Sequence, residues 1–209
     1  MGQLVIGCEC ERGQLENGLV GEPETKRMTK PEFLEWQQRQ DELYELVDGV
    51  PFLPMKMMTG ASSNHDRTVV NAIAHLRNAL RGKPCRPTTD DIAVEIPAGG
   101  YRRPDVTVEC GKPGPRDTTA AEPRVVIEVL SPSTMGFDRF RKLEEYKTVP
   151  SIQVVLIVDT EKPQVVVHRR VAGAWTFEAV EGLAQTIPLP EIVADLPMSE
   201  LYDGVGNPS

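Results

Sequence analysis

The sequence predicts a single α/β domain in which a mixed central sheet is flanked by helices. Residues 125–130 and 152–158 are apolar at nearly every position, as in strands that are buried on both faces, and a helical segment at 138–147 separates them. A helix that connects two buried strands favours a parallel pair. Residues 164–168 are expected to pair back across the turn at 161–163 and residues 175–180 to extend this meander, so the predicted sheet is mixed. A chain of 209 residues is long enough for one well-buried domain and short for two.

The N-terminal part of the chain is predicted to form a helix and a hairpin. Thr29-Lys30-Pro31-Glu32 has the form of a capping box with proline in the first turn, so a helix is expected to begin there. Residues 44–47 and 50–53 flank Asp48-Gly49, a dipeptide typical of a tight hairpin turn. Residues 1–27 lack periodicity and are expected to be an irregular extension. The domain is therefore expected over 28–203, with a C-terminal tail at 204–209.

A second helix is predicted after the N-cap candidates Ser62, Ser63 and Asn64, and it should end near Gly82. The apolar stripe expected on this helix consists of Val69, Val70, Ile73, Leu76 and Leu80.

Further strands are expected within 91–96, 104–108, 164–168 and 175–180. The helix at 138–147 should bury Phe140, Leu143 and Tyr146. Residues 189–201, which include several prolines, are expected to wrap the domain with at most one short helical turn.

The net charge of this protein limits how it can bind a polyanion. Its formal net charge is −8, which argues against coating nucleic acid by bulk electrostatics. A local basic patch would be needed, or else the basic residues form an ordinary solvated surface. The candidate basic residues are Arg102-Arg103, Arg139 with Arg141-Lys142, and Arg169-Arg170. No apolar run is long enough to span a bilayer and no secretory signal is evident, so we expect no membrane and a cytoplasmic protein.

The cysteines match no familiar framework. Cys8 and Cys10 are two residues apart, while Cys85 and Cys110 stand alone in the sequence. This spacing fits neither a paired Cys-x-x-Cys zinc site nor the disulfide framework of a small secreted domain. Neither a zinc site nor a disulfide framework of that kind is therefore expected.

Asp105 and Glu128 are the candidate metal ligands. Glu128 interrupts the apolar run at 125–130, where a carboxylate needs a partner to offset its loss of water. Asp105 begins a short strand, and Glu128 can lie beside it from a neighbouring strand. Two adjacent carboxylates repel unless a proton or a cation joins them. Mg²⁺ suits such a pair because it takes oxygen ligands, and the backbone carbonyl of Val129 can add a third.

Lys142 is the candidate cation for catalysis. It lies on the predicted helix at 138–147, from which its ammonium could reach an attacking water or a scissile phosphate and stabilise developing negative charge. The alternative is an ordinary surface ion pair with Asp138, four residues earlier. The spacing by itself leaves both interpretations open.

Glu45 and His65 are secondary candidates. Glu45 lies beside the hairpin turn, where it is either an extra carboxylate close to the metal or an ordinary solvent-facing residue. His65 lies near the predicted start of the second helix, where it either caps and packs or helps to position a phosphate, because helix N-termini attract anions.

An ordered set of motifs resembles the Uma-type restriction endonuclease family of the PD-(D/E)XK nuclease superfamily. The resemblance covers roughly residues 28–203. The matching motifs are Tyr44-Glu45-Leu46-Val47-Asp48-Gly49, Ser62-x-x-His65, Arg103-Pro104-Asp105-Val106, Ile127-Glu128-Val129-Leu130-Ser131-Pro132-Ser133-Thr134, Asp138-x-x-x-Lys142-x-x-x-Tyr146 and Val149-Pro150-Ser151-Ile152.

The resemblance implies a restriction-endonuclease-like core and Mg²⁺-dependent hydrolysis of nucleic-acid phosphodiester bonds, with Mn²⁺ as a substitute ion and DNA ahead of RNA as substrate. Asp105 and Glu128 would hold the metal. The superfamily's lysine usually follows two residues after this glutamate, but Leu130 stands there. Lys142 is the expected substitute. A symmetric homodimer would suit cleavage of both strands of a duplex. The alternative function is a non-catalytic nucleic-acid-binding or assembly module that keeps the nuclease fold.

Overall fold

The computed structural model describes residues 27–54, 61–130 and 137–206, with only the backbone at 137–139. The expected extension at 1–26, Cys8, Cys10, the Ser131–Thr134 part of the resemblance and the last three residues of the tail lie outside the described residues. The helices are α1 (Lys30–Gln37), α2 (Ser63–Ala79), α3 (Phe137–Thr148) and α4 (Met198–Leu201). The strands are β1 (Glu45–Val47), β2 (Val50–Phe52), β3 (Arg86–Thr89), β4 (Val94–Ile96), β5 (Gly100–Arg102), β6 (Val106–Glu109), β7 (Pro123–Val129), β8 (Val154–Asp159), β9 (Gln164–Val171), β10 (Ala174–Glu181), β11 (Thr186–Leu189) and β12 (Ala194–Pro197).

The central sheet is mixed, as the sequence predicts. Its strand order is β10-β9-β8-β7-β6-β3. β7 and β8 are parallel and α3 connects them, whereas the other neighbours in this sheet are antiparallel. The predicted strand–helix–strand unit is therefore confirmed, and it forms the middle of the sheet.

A smaller sheet lies beside the central one, with the strand order β2-β1-β5-β4. The predicted hairpin joins β1 to β2, and both turn residues are left-handed, with φ of 50° at Asp48 and 79° at Gly49. β5 passes so close to β1 that a Cβ on Gly100 would lie 2.5 Å from the carbonyl oxygen of Leu46. Glycine at position 100 is thus required for this strand pairing.

Two hydrophobic clusters cover the two faces of the central sheet. On β7, Val125, Ile127 and Val129 pack toward α2 and α4, while Val126 packs toward α3. Strict alternation along β7 places Glu128 on the α3 side with Val126. The candidate glutamate therefore lies between the sheet and the helix that carries Lys142.

The helix starts agree with their sequence signals, but parts of the predicted stripes do not. Thr29 and Glu32 form the expected capping box at α1, and Ser62 caps α2. The buried assignments of Val70 and Phe140 are wrong, because their exposed fractions are 55% and 64%. The buried side of α2 is centred on Ala72 and Leu76, and Val70 lies roughly 160° around the helix from Ala72 and roughly 120° from Leu76.

Some short strands have no pattern in the sequence, and they form because a neighbouring strand pairs with them. β3 has no apolar alternation and becomes a strand by pairing with β6. The expected wrapping segment at 189–201 is wrong in part, because β11 and β12 form a hairpin in which Ile187 lies opposite Leu196. A short helix, α4, does follow them.

One pair of cysteines is joined in a way that their sequence spacing does not indicate. Cys85 and Cys110, 25 residues apart, form a disulfide. They directly flank the paired strands β3 and β6, where Arg86 lies opposite Glu109, so the sheet register brings them together. None of the helices in the described part of the chain has the length and hydropathy of a membrane-spanning segment.

Candidate active site

Asp105 and Glu128 lie at the same end of the central sheet. β6 begins at Val106, which lies opposite Ile127 of β7. Continuing this antiparallel register by one residue sets Asp105 opposite Glu128. Directly opposed residues on antiparallel strands have Cβ atoms about 4.5–5.5 Å apart, and Asp105 comes just before the first paired residue of β6.

Asp105 is buried, with 5% of its surface exposed. Strand β7 and helix α2 both contribute contacts to its carboxylate. The backbone N–H of Val129 donates a hydrogen bond to its Oδ2 at 2.8 Å. Nε2 of His65, in the first turn of α2, lies 3.3 Å from the same oxygen. His65 Nδ1 is buried without a hydrogen-bond partner among the described residues. The structure thus brings together Asp105, Val129 and His65, as the sequence suggests for a site.

Glu128 is half-buried, and α3 supplies one of its contacts. The hydroxyl of Tyr146 donates a hydrogen bond to Glu128 Oε1 at 2.6 Å. Burial raises the pKa of Tyr146 well above its usual range, and the nearby charges of Glu128 and Glu45 add to this effect. Tyr146 therefore remains a protonated donor. The sequence predicts Tyr146 only as a packing residue, and its hydroxyl is a functional group that apolar periodicity does not reveal.

Lys142 and Glu45 form a direct ion pair in the interior. Lys142 Nζ lies 2.9 Å from Glu45 Oε1, and Arg102 Nη1 lies 2.8 Å from Glu45 Oε2. The backbone N–H of Arg103 also donates to Glu45 Oε1, at 3.1 Å. Glu45 is 0% exposed and the Lys142 side chain is 13% exposed. Neither residue is an ordinary surface group; the side chain of Asp138, the alternative partner of Lys142, lies outside the described residues.

The two cations decide the ionisation of Glu45. Burial alone would raise the pKa of this carboxyl, but the positive charges and hydrogen bonds of Lys142 and Arg102 outweigh it. The pKa of Glu45 is therefore below its usual range, and the residue is a carboxylate at neutral pH.

The ion pairs continue from Glu45 to the hairpin turn. Arg102 Nε donates to Glu145 at 2.5 Å, and Arg141 contacts Glu145 at 2.8 Å and Asp48 at 2.7 Å. Burial lowers the pKa of Arg102, but Glu145 and Glu45 raise it by more, so its net pKa is above the ordinary value. This network ties the β1–β2 hairpin to α3 through alternating charges.

Two of the suggested basic-patch residues belong to the interior instead. Arg102 is fully buried and Arg103 is nearly so. The guanidinium of Arg103 donates to three backbone carbonyls, those of Tyr44, Asp90 and Asp91. The interpretation of this pair as a solvated or nucleic-acid-facing patch is wrong, because both side chains are used to join β1 to its neighbours. Two consecutive arginines carry no sequence signal that separates these roles.

Among the described residues, the sequence-predicted oxygen ligands at this end of the sheet are those of Asp105, Glu128 and the Val129 carbonyl. Among the described residues, no group of three or more histidine, cysteine, aspartate or glutamate side chains has a metal-binding arrangement. A cation here would thus rest on two carboxylates and backbone or solvent oxygen, which is common for Mg²⁺.

Comparisons with known proteins show which family this chain is similar to. A family model described as "Uma2: Putative restriction endonuclease" matches residues 31–199. The uncharacterized protein slr1290 of Synechocystis sp. is 32% identical over 155 residues, covering 71% of this chain and 78% of that protein. The uncharacterized protein sll1609 of the same organism is 30% identical over 139 residues, covering 65% and 76%.

A solved structure shares the fold. It is a crystal structure described as that of a putative nuclease belonging to DUF820 from Anabaena variabilis, and it matches with a TM-score of 0.67 at 18% identity. The match covers 86% of this chain and 99% of the other. The family match over most of the chain and this shared fold agree with each other, and the chain belongs to the Uma2 family of putative restriction endonucleases.

Proposed function

We propose that this protein is a divalent-metal-dependent endonuclease that hydrolyses phosphodiester bonds in nucleic acid. The observation that supports the proposal is the placement of Asp105 and Glu128 at the same end of neighbouring strands, with the Asp105 carboxylate accepting a hydrogen bond from the backbone N–H of Val129 at 2.8 Å. The family description supports DNA ahead of RNA as the substrate.

The donor set at this sheet end fits a Mg²⁺ ion, with Mn²⁺ as a substitute. Two carboxylates and a carbonyl are hard oxygen ligands, which Mg²⁺ prefers. The Nδ1 atom of buried His65, next to Asp105, has no hydrogen-bond partner among the described residues, and water or a phosphate oxygen could provide one. Asp105, Glu128 and the Val129 carbonyl would hold the ion, which would supply Lewis-acid activation of phosphate and water.

The other residues position charge around this centre. Lys142 offers a cation to the negative charge that develops on a phosphate, and Glu45 fixes the direction of its side chain. Because three donors already occupy the Glu45 oxygens, we assign Glu45 to positioning rather than to metal binding. His65 holds Asp105 and lies at the N-terminus of α2, where a phosphate is favoured.

One observation favours the second function, a nucleic-acid-binding or assembly module without catalysis. The Lys142 ammonium is paired to a fully buried carboxylate, and Leu130 stands where the superfamily usually has its lysine. An ammonium group that is held in this way stabilises the fold and contributes less to the stabilisation of a transition state. The two functions differ in whether the wild-type protein turns over substrate.

The test is an incubation of supercoiled plasmid, duplex and single-stranded DNA, and RNA with Mn²⁺ or Mg²⁺. Wild type is compared with Asp105→Ala and Glu128→Ala, and Glu178→Ala, an exposed glutamate on β10, is the matched control. We expect metal-dependent cleavage by wild type and by the control, and a loss of roughly 100-fold or more in the two site variants.

Cleavage that survives both site substitutions would contradict the assignment of Asp105 and Glu128. Binding of nucleic acid by wild type without cleavage of any substrate would favour the non-catalytic module. Sizing chromatography of the active fraction, with and without duplex DNA, measures whether a homodimer acts on both strands.

A further inference from the structure

Tyr146 connects α3 to the candidate metal ligand on β7. It is a completely buried member of the cluster between α3 and the central sheet. Its ring packs with Val126 and Ile152, and its hydroxyl reaches Glu128 Oε1 at 2.6 Å. A buried phenol needs a hydrogen-bond partner, and an ionised carboxylate makes the stronger kind of bond.

The bond restrains Glu128 because the donor cannot move. A glutamate side chain has three rotatable torsions. That of Glu128, at the end of β7, is partly exposed to water and could adopt other rotamers. A tyrosine ring that is held in a packed core fixes one carboxylate oxygen at one place. The second oxygen is then directed by the geometry of the first.

α3 presents this restraint one helical turn from Lys142. Residues four apart lie on the same face of a helix, so Lys142 and Tyr146 approach the sheet together. Lys142 contacts Glu45 of β1, and Tyr146 contacts Glu128 of β7. One face of α3 thus sets both the cation and the glutamate of the candidate site.

We infer that Tyr146 is a positioning residue that orients Glu128 for metal binding through its hydroxyl. This inference rests on the proposed function, because it assigns Glu128 to the metal. It predicts that removal of the Tyr146 hydroxyl oxygen lowers the affinity for the metal. The packing of the core is kept, since phenylalanine retains the ring.

The experiment compares Tyr146→Phe with Tyr202→Phe. Tyr202 is a matched control, because its buried hydroxyl also makes hydrogen bonds, but to the backbone oxygens of Asp159 and Gln164. Mn²⁺ affinity is measured by the electron paramagnetic resonance of free Mn²⁺ and by the shift in melting temperature that Mn²⁺ produces. We expect about a tenfold weaker affinity in Tyr146→Phe, as for other residues that orient metal ligands, and wild-type affinity in Tyr202→Phe.

A second measurement uses the metal-free protein. The melting temperatures of Tyr146→Phe, Glu128→Ala and the double variant form a cycle, and a direct hydrogen bond makes the two losses non-additive. Equal Mn²⁺ affinity of wild type and Tyr146→Phe, or strictly additive losses in the cycle, would overturn the role of Tyr146 while leaving the metal site intact. Absence of Mn²⁺ binding by wild type would instead overturn the proposed metal site and this inference with it.

Discussion

At the residue scale, the carboxylate of Glu45 shows how a buried charge is retained in this fold. It is fully buried, and its oxygens accept contacts from Lys142, Arg102 and the backbone of Arg103. Removal of one partner from a buried ion pair leaves the remaining charge unsolvated, which costs about 3–5 kcal/mol. Glu45 is therefore expected to be among the residues on which stability depends most.

The acid dependence of stability tests this arrangement. The pKa of Glu45 is lowered in the folded protein from an ordinary value of 4.5, so its ionic contribution is complete above that value and is lost as the pH falls through the folded pKa. We expect Glu45→Gln to lower the free energy of unfolding by about 3 kcal/mol at pH 7, and the difference from wild type to shrink below about pH 4.5. Urea unfolding from pH 7 to pH 3 measures both.

Glu95→Gln is the matched control for that series. Glu95 pairs with Lys30 on the surface at 2.6 Å, and more than half of its side chain is exposed. Exposed pairs contribute less than about 1 kcal/mol, so this variant should stay close to wild type throughout. A Glu45→Gln variant as stable as Glu95→Gln at pH 7 would contradict the interior ion-pair network.

Single residues also show which contacts of the candidate site the sequence does not predict. Asp105, Glu128 and Lys142 are recognisable as candidates because of their positions in strands and in a helix. The contacts that orient them come from Tyr146, Arg102 and the backbone of Val129, which are distant in sequence or carry no side-chain signal. A hydrogen bond depends on the direction of a side chain, which periodicity does not encode.

At the scale of elements, strong local signals were sufficient for α1, α2 and the β1–β2 hairpin. The capping box, the Ser62 cap and the left-handed Asp48-Gly49 turn are each set by residues that lie within four positions of one another. β3 and β5 have no such signal, and they exist because a neighbouring strand supplies their hydrogen bonds. Pairing between distant segments is therefore the step that the sequence leaves undetermined.

The disulfide allows a test of the β3–β6 pair. It closes a loop of 25 residues, and a cross-link of that length stabilises a protein by about 3 kcal/mol through restriction of the unfolded chain. We expect a reductant to lower the free energy of unfolding of the wild type by about this amount. Guanidinium unfolding with and without dithiothreitol measures the effect.

The control for that test is the double variant Cys85→Ser, Cys110→Ser. It should have the stability of the reduced wild type and should not respond to dithiothreitol. A double variant that still loses stability in reductant would show that the response comes from elsewhere in the chain.

At the scale of the whole molecule, the net charge limits how strongly the protein can bind nucleic acid. The net charge is −8, and the basic residues around the candidate site already pair with carboxylates, as Arg102 and Lys142 do with Glu45 and Arg141 does with Asp48. Arg170 is also engaged, over the ring of Trp175 and with backbone oxygens. Association without a divalent ion therefore gains little from phosphate contacts.

The salt dependence of binding measures this effect. Each phosphate neutralised by a protein cation steepens the loss of affinity with salt, and six to ten contacts cost roughly 10³–10⁵-fold between 50 and 200 mM. We expect less than about a tenfold loss for wild type with duplex DNA in EDTA, measured by fluorescence anisotropy. A thousandfold loss would show that cations away from the candidate site make many phosphate contacts.

The amino-acid sequence by itself determined the class of the fold, its central strand–helix–strand unit and the identity of the candidate carboxylates, because these follow from local periodicity, turn chemistry and the rarity of charge in an apolar strand. The domain limits at 28 and 203 stay a prediction. Only the tertiary structure decided which groups meet: Asp105 with His65 and Val129, Glu128 with Tyr146, Lys142 with Glu45, and Cys85 with Cys110. Each of these contacts joins segments that are separated in sequence, and their distances are set by strand register and helix packing rather than by any local pattern.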